Sequence, residues 1–256
     1  MENKLEVQKE KPTLKSLVNS EQIKTRFAEV LGQKSNAFIT SILGLQNSNA
    51  QLMKCEPMSI IMSAMTAATL DLPINQNLGF AYILPYKVKR DNNYVDVAQF
   101  QLGYKGYVQL ALRTAQYKTI NVSEVYEGEL IEENRMTGEI KFDSTQKKSD
   151  KIIGYVGYIA LLNGFEKSLY MSIDSIDKHA KRYSQTYKKG FGIWKDDFDS
   201  MAKKTVIKLL ISKWGVLSSE MQKAVEKDQA VINEDGTSEY IDNYVDVTSE
   251  NPIIIE

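Results

Sequence analysis

The residues with the most chemical content lie in the run Trp194-Lys195-Asp196-Asp197-Phe198-Asp199-Ser200-Met201-Ala202-Lys203-Lys204-Thr205-Val206-Ile207-Lys208-Leu209-Leu210. Read as an amphipathic helix, it stacks Lys204 and Lys208 on one face, with Lys203 beside them. Like charges four residues apart repel by roughly a few tenths of a kcal/mol. Asp196, Asp197 and Asp199 all fall in the first turns, where the helix dipole favours acids, and no acid follows within the run to relieve the pair. A polyanion laid along the second half of the helix would turn that repulsion into attraction. Lys203, Lys204 and Lys208 therefore point to nucleic acid, against the plainer reading of a solvated lysine face.

A second basic cluster joins Tyr86-Lys87-Val88-Lys89-Arg90 to Tyr104-Lys105-Gly106-Tyr107 and Arg113. Rings interleaved with cations suit single strands, because rings stack bases while ammonium and guanidinium groups follow phosphates. Lys105 and Arg113 are about two helical turns apart and can share a face. The competing reading makes Tyr104 and Tyr107 core-flanking rings at a helix start. A third group, Arg182, Tyr187, Lys188, Lys189, Phe191 and Trp194, sits around Gly190 and Gly192, in a loop that could close over a strand or simply lie on the surface.

Net charge is -1, but it is unevenly distributed. Ten Lys or Arg and three acids lie between Lys178 and Lys213; nine acids and one lysine lie from Glu226 to Glu256. A basic block followed by an acidic tail is an arrangement found in nucleic-acid proteins.

Enzyme signatures are mostly absent. No G-x-x-x-x-G-K-[ST] run exists, which argues against a nucleotide-driven motor, and no G-x-S-x-G occurs. The one cysteine, Cys55, and the one histidine, His179, make neither a disulfide nor a zinc site of the usual kind. Cys55 reads as a small buried apolar residue, and His179 as a solvent-exposed or phosphate-touching ring. Asp71, Asp96 and Glu124 could bind magnesium for nuclease chemistry, yet no carboxylate pair stands at a telling spacing beside a lysine. The lone cysteine, a polar start and the lack of a long apolar run predict a cytoplasmic protein without metal or cofactor.

These residues need elements to hold them. Residues 1–11 read as unstructured. Apolar spacing predicts a helix over 15–31, a second over 36–45 and a third from Pro57 to Leu70, with Pro at its first position. Strands are expected at 80–86 and 95–102 around a polar connection at 87–93, then a helix over 104–115 and a strand at 121–126. Two hairpins follow, one turning at Thr137-Gly138 and one at Asn163-Gly164. Asp174 would cap a helix reaching Tyr183. A last helix covers 218–227. Helices, then strands, then helices predict an α+β fold with an antiparallel sheet of hairpins. The domains expected are an N-terminal arm at 1–34 that could touch a neighbouring protomer, a DNA-binding core at 35–229, and an acidic, disordered tail at 230–256.

Three blocks together resemble the RecT family of phage and prophage single-strand annealing proteins. They are Leu72-Pro-Ile-Asn-Gln-Asn-Leu-Gly79-Phe-Ala-Tyr-Ile-Leu-Pro-Tyr86, Gln101-Leu-Gly-Tyr-Lys-Gly-Tyr-Val-Gln-Leu-Ala-Leu-Arg113, and Trp194 through Met201-Ala-Lys-Lys-Thr205. Their order and spacing match, over roughly residues 35 to 230. The resemblance implies an ATP-independent, non-enzymatic protein that coats single-stranded DNA and pairs complementary strands into duplex during recombination. It also implies a core distantly like that of eukaryotic strand-annealing proteins, and homo-oligomers built as rings or helical filaments. A 5'-to-3' exonuclease and the host single-strand-binding protein are the implied partners. By position it assigns DNA contacts to Lys105, Arg113, Lys203, Lys204 and Lys208. The alternatives are a magnesium-dependent nuclease and a passive single-strand coat.

Overall fold

The computed structural model describes residues 12–90, 93–134 and 136–240. The expected unstructured start, 1–11, and the tail from 241 onward lie outside the described residues.

The chain opens with helices α1 (Leu14–Val18), α2 (Glu21–Leu31), α3 (Ser35–Ser48) and α4 (Pro57–Thr69). The first expected helix is in fact two, because Asn19 ends α1 and Ser20 begins α2. Leu14, Val18, Ile23 and Phe27 are buried in the large core that also takes in α4, β1, β2 and α5. Pro57 occupies the first turn of α4, where its missing N–H costs nothing. This helix is apolar nearly all round, as a helix in an interior must be. Its buried hydroxyls find partners in the next layer: Ser59 Oγ accepts the Ala98 N–H at 2.8 Å and Ser63 donates to the Ala98 carbonyl at 3.3 Å.

That layer is a hairpin of β1 (Ala81–Arg90) and β2 (Asn93–Leu102), paired without a break from Ala81↔Leu102 to Arg90↔Asn93. The strands run through what the sequence suggested was a long connection. Val88 supplies the reason: it is buried against Val97 and Val231 while Lys87 and Lys89 face out. Helix α5 (Tyr104–Arg113) follows at once, and β3 (Tyr117–Tyr126), β6 (Ile152–Leu161) and β7 (Glu166–Ser172) form an antiparallel sheet in the order β3-β6-β7. Strands β4 (Leu130–Asn134) and β5 (Glu139–Phe142) make a separate hairpin. Helix α6 (Ile173–Tyr183) is capped by Ser172, whose Oγ accepts the Ser175 N–H, with Asp174 inside its first turn. Short helices α7 (Gln185–Lys188) and α8 (Ile193–Asp196) lead to α9 (Phe198–Trp214) and α10 (Ser219–Lys227).

The architecture is mixed helix and antiparallel sheet, with helices at the start of the described chain and α9 and α10 in its C-terminal part. The strip 230–240, expected as tail, contributes a small hairpin of β8 (Val231–Ile232) and β9 (Ser238–Glu239), and the Phe100 N–H donates to the Ala230 carbonyl.

Two close approaches fix the geometry of the site. A Cβ on Gly103 would lie 2.1 Å from the Gly79 carbonyl oxygen, and one on Gly106 would lie 2.2 Å from that of Phe80. Only glycine lets the start of α5 press onto the Gly79–Phe80 backbone. On the sheet, a Cβ at Gly157 would come within 3.0 Å of Leu210 and Val206 side chains, so α9 beds directly against β6.

Candidate nucleic-acid interface

The site is built around α9. Asp197 caps it, accepting the Ser200 N–H. Its apolar residues Met201, Ala202, Val206, Ile207, Leu210 and Ile211 are all buried, since the helix wedges between α5 and the three-stranded sheet. This burial corrects the expected lysine face. Lys204 is only 5% exposed, and its ammonium donates to Asp228 Oδ1 at 2.9 Å. Lys208, whose side chain is 30% exposed, donates to Asp228 Oδ2 at 3.0 Å. The acid missing from the run arrives from beyond α10, twenty residues or more downstream. Asp228 also accepts the Leu102 N–H and the Tyr107 hydroxyl, both at 2.9 Å, and its side chain has no exposure.

Burial alone would raise the Asp228 carboxyl, but the charges of Lys204 and Lys208 outweigh it and hold the group well below the usual carboxylate range. Burial, then the Asp228 charge, pushes the Tyr107 hydroxyl well above its ordinary value. The phenol is thus a neutral donor. Burial, ahead of the opposing Asp228 charge, lowers Lys204 from its ordinary value; with both lysines protonated, two ammoniums share one carboxylate and the excess is one positive charge.

Lys203 points the other way. It pairs with Glu124 on β3 at 2.5 Å and with Asp199 at 2.8 Å. Burial works against its charged form, but the two carboxylates more than compensate and raise it. In turn its hydrogen bond holds Glu124 down.

Other expected residues fall into two groups. Tyr107 is fully buried, and Trp194 lies in a second core between Tyr187 and Phe198, with ring centroids 5.9 and 5.7 Å away. These two of the candidate rings are interior, where their large apolar area is buried in the two cores. Arg113 donates to the Leu70 and Asp71 carbonyls at 2.6 and 2.7 Å, closing the C-terminal end of α4. Arg90 pairs with Glu56 and Glu239.

The second group faces solvent. Lys87, Lys89, Lys105, Arg182, Lys188 and Lys189 are exposed, and Phe191 is 55% exposed. Tyr104 is half-buried. The 184–192 segment is folded turns rather than a free strap: Phe191 N–H donates to the Thr186 carbonyl, and Gly192, at φ 92°, packs where a Cβ would meet Thr186 Oγ1 at 2.9 Å.

Between the base of the β1–β2 hairpin and the start of α9 runs a cleft lined by Tyr82, Gln101, Tyr104, Ile193, Ser200 and Lys204, among others. Tyr82 and Asp228 belong to this region and were not singled out by sequence reasoning. Tyr82 alternates with inward Ala81 and Ile83, a signal visible in the strand pattern. Asp228 carried no local signal. His179 is half-buried against Tyr183, with ring centroids 4.6 Å apart. Burial, then the nearby Lys208 and Arg182 charges, lowers it to about 4. Cys55 is buried, and burial followed by the Asp96 and Glu56 charges pushes its thiol up to about 12, leaving it inert. Among the described residues no group of three or more His, Cys, Asp or Glu could hold a metal ion, and no helix is long and apolar enough to cross a membrane.

Residues 36–243 match the model of the RecT family. The chain belongs to the RecT family. It is similar to the uncharacterized protein YqaK of Bacillus subtilis, at 51% identity over 243 residues covering 93% of this chain and 81% of the relative. It is also similar to Protein RecT of Escherichia coli, at 27% identity over 182 residues covering 70% of this chain and 65% of that protein. The second and third of the three sequence blocks meet at Asp228: Leu102 and Tyr107 come from one, Lys204 from the other and Lys208 from just past it.

Proposed function

We propose that this family member coats single-stranded DNA and pairs complementary strands without ATP or covalent chemistry. The observation that carries this is the excess positive charge on α9. A partly buried cation without a full counter-charge is costly unless an anion supplies it, and a phosphate backbone supplies anions at regular spacing.

The strand would run past Lys208 and Arg182, along Lys105 and Tyr104, with Lys188, Lys189, Lys87 and Lys89 adding phosphate contacts and Phe191 a stacking ring. Tyr107, Arg113, Lys203, Lys204, Arg90 and Trp194 support that surface from inside or beside it. Such contacts go to the backbone and carry no sequence information, as annealing of arbitrary strands requires. A few phosphate contacts per protomer bind weakly, so repetition in a homo-oligomer, ring or filament, supplies avidity. An exonuclease that exposes the strand and the host single-strand-binding protein complete the proposal, in the cytoplasm.

The test mixes the protein with two complementary labelled oligonucleotides, without ATP, and follows duplex formation by energy transfer. Accelerated pairing with intact strands is expected. Binding without acceleration would leave a passive coat, and magnesium-dependent shortening of the strands would indicate a nuclease.

A further inference from the structure

Asp228 stands where four parts of the fold converge. Its two oxygens accept four hydrogen bonds, from the end of β2, from α5 and twice from α9. The residue itself lies just past α10, and its neighbour Gln229 is anchored to the same strand: its N–H donates to the Phe100 carbonyl, and its carbonyl accepts from the Gln99 side chain. Gln229 also has a φ of 65°, in the left-handed region. The four donors fill the four acceptor sites of the buried carboxylate and fix it in place. What distinguishes the donors is exposure: Leu102, Tyr107 and Lys204 are enclosed, whereas the Lys208 side chain keeps 30% of its surface.

We propose that Asp228 is a positioning residue for DNA binding: it cancels the Lys204 charge inside the molecule and tethers Lys208 as a cation held at the surface of α9. The inference rests on the proposed single-strand binding at this face. It departs from a simple basic helix, in which both lysines would meet phosphate. In the tethered arrangement Lys208 offers its ammonium already ordered, so binding loses little rotamer freedom. Lys204 and Asp228 together carry no net charge.

The test reads affinity for a labelled oligodeoxythymidine by fluorescence anisotropy across a salt series, with thermal unfolding to confirm folding. Lys208→Met removes one phosphate contact and should reduce the magnitude of the log–log salt slope by about 0.7, the single-strand value per contact. The double variant Lys204→Met with Asp228→Asn leaves net charge unchanged but cuts the tether. It should keep the slope and weaken binding about three- to tenfold, the factor expected when a rotamer-rich side chain must be ordered on binding. A purely structural pair would change unfolding and leave affinity alone. A folded double variant with wild-type affinity therefore overturns the inference, as does an unchanged slope in Lys208→Met. Should the double variant not fold, Asp228→Glu shifts the carboxylate by one methylene: weaker binding at constant slope supports the tether, and wild-type binding overturns it. Failure of the wild-type protein to bind the oligonucleotide at all would instead sink the proposed function.

Discussion

Two neighbouring lysines of α9 open onto two different charge balances. On the Lys203 side, two carboxylates from β3 and the helix's own first turn surround one ammonium, leaving an excess of negative charge. On the Lys204 side, two ammoniums surround one carboxylate, and the excess is positive. The acidic side is partly open, with the Asp199 side chain 44% exposed, so water can screen it. The basic side has its acid sealed off and its surplus at the surface. A helix wedged between α5 and a sheet thus sorts charge across its width, and a run of adjacent lysines need not act as one patch.

The contrast is broken most severely by Asp228→Asn. Two ammoniums would then share no counter-charge in a buried place, at a cost of roughly 3–5 kcal/mol of folding stability, measured by urea unfolding at neutral pH. A loss below about 1 kcal/mol would mean the pair reaches water. Lys203→Met attacks the other side. It leaves Glu124 and Asp199 without their shared cation, but both side chains are partly exposed, so the expected loss is smaller, about 1–2 kcal/mol in the same assay. Equal losses at the two positions would erase the distinction between the sides.

The smallest effect concerns His179, which sits beside Lys208. Its folded-state value of about 4 is below the ordinary 6.5, so the unfolded chain binds the extra proton between those values. Stability contributed by the neutral ring is full above pH 6.5 and is lost as pH falls toward 4. The half-buried ring retains about 1 kcal/mol of this after screening. His179→Gln should therefore flatten the loss of stability between pH 7 and pH 5 relative to wild type, in paired unfolding curves. Parallel curves would mean that burial does not hold the ring neutral.

Much of this fold is legible in the chain because its signals are local. Asn163-Gly164 turns β6 into β7, Pro57 starts α4, and alternation marks β1. Even the Lys203 pairing had a local sign, since Asp199 precedes it by one helical turn. The Asp228 hub had none: it depends on a residue counted with an acidic tail returning to a helix that began thirty residues earlier. Tyr107, Trp194 and Arg113 share this difficulty. A ring or guanidinium beside a glycine or a lysine reads as a ligand contact until tertiary packing shows which groups the interior has claimed. Gly103 and Gly106 explain the second family block differently, as a demand for backbone contact with Gly79 and Phe80.

The position of Asp228 also decides where this chain can be shortened. Composition suggests trimming the acidic stretch as a unit, but a cut ahead of residue 228 would take away the carboxylate on which two helices and a strand converge, along with the Ala230 and Val231 contacts that back the hairpin. A cut after Tyr240 leaves all of these in place. The same acidic residues that look like a dispensable appendage thus divide, within a dozen positions, into a keystone and a trailing remainder.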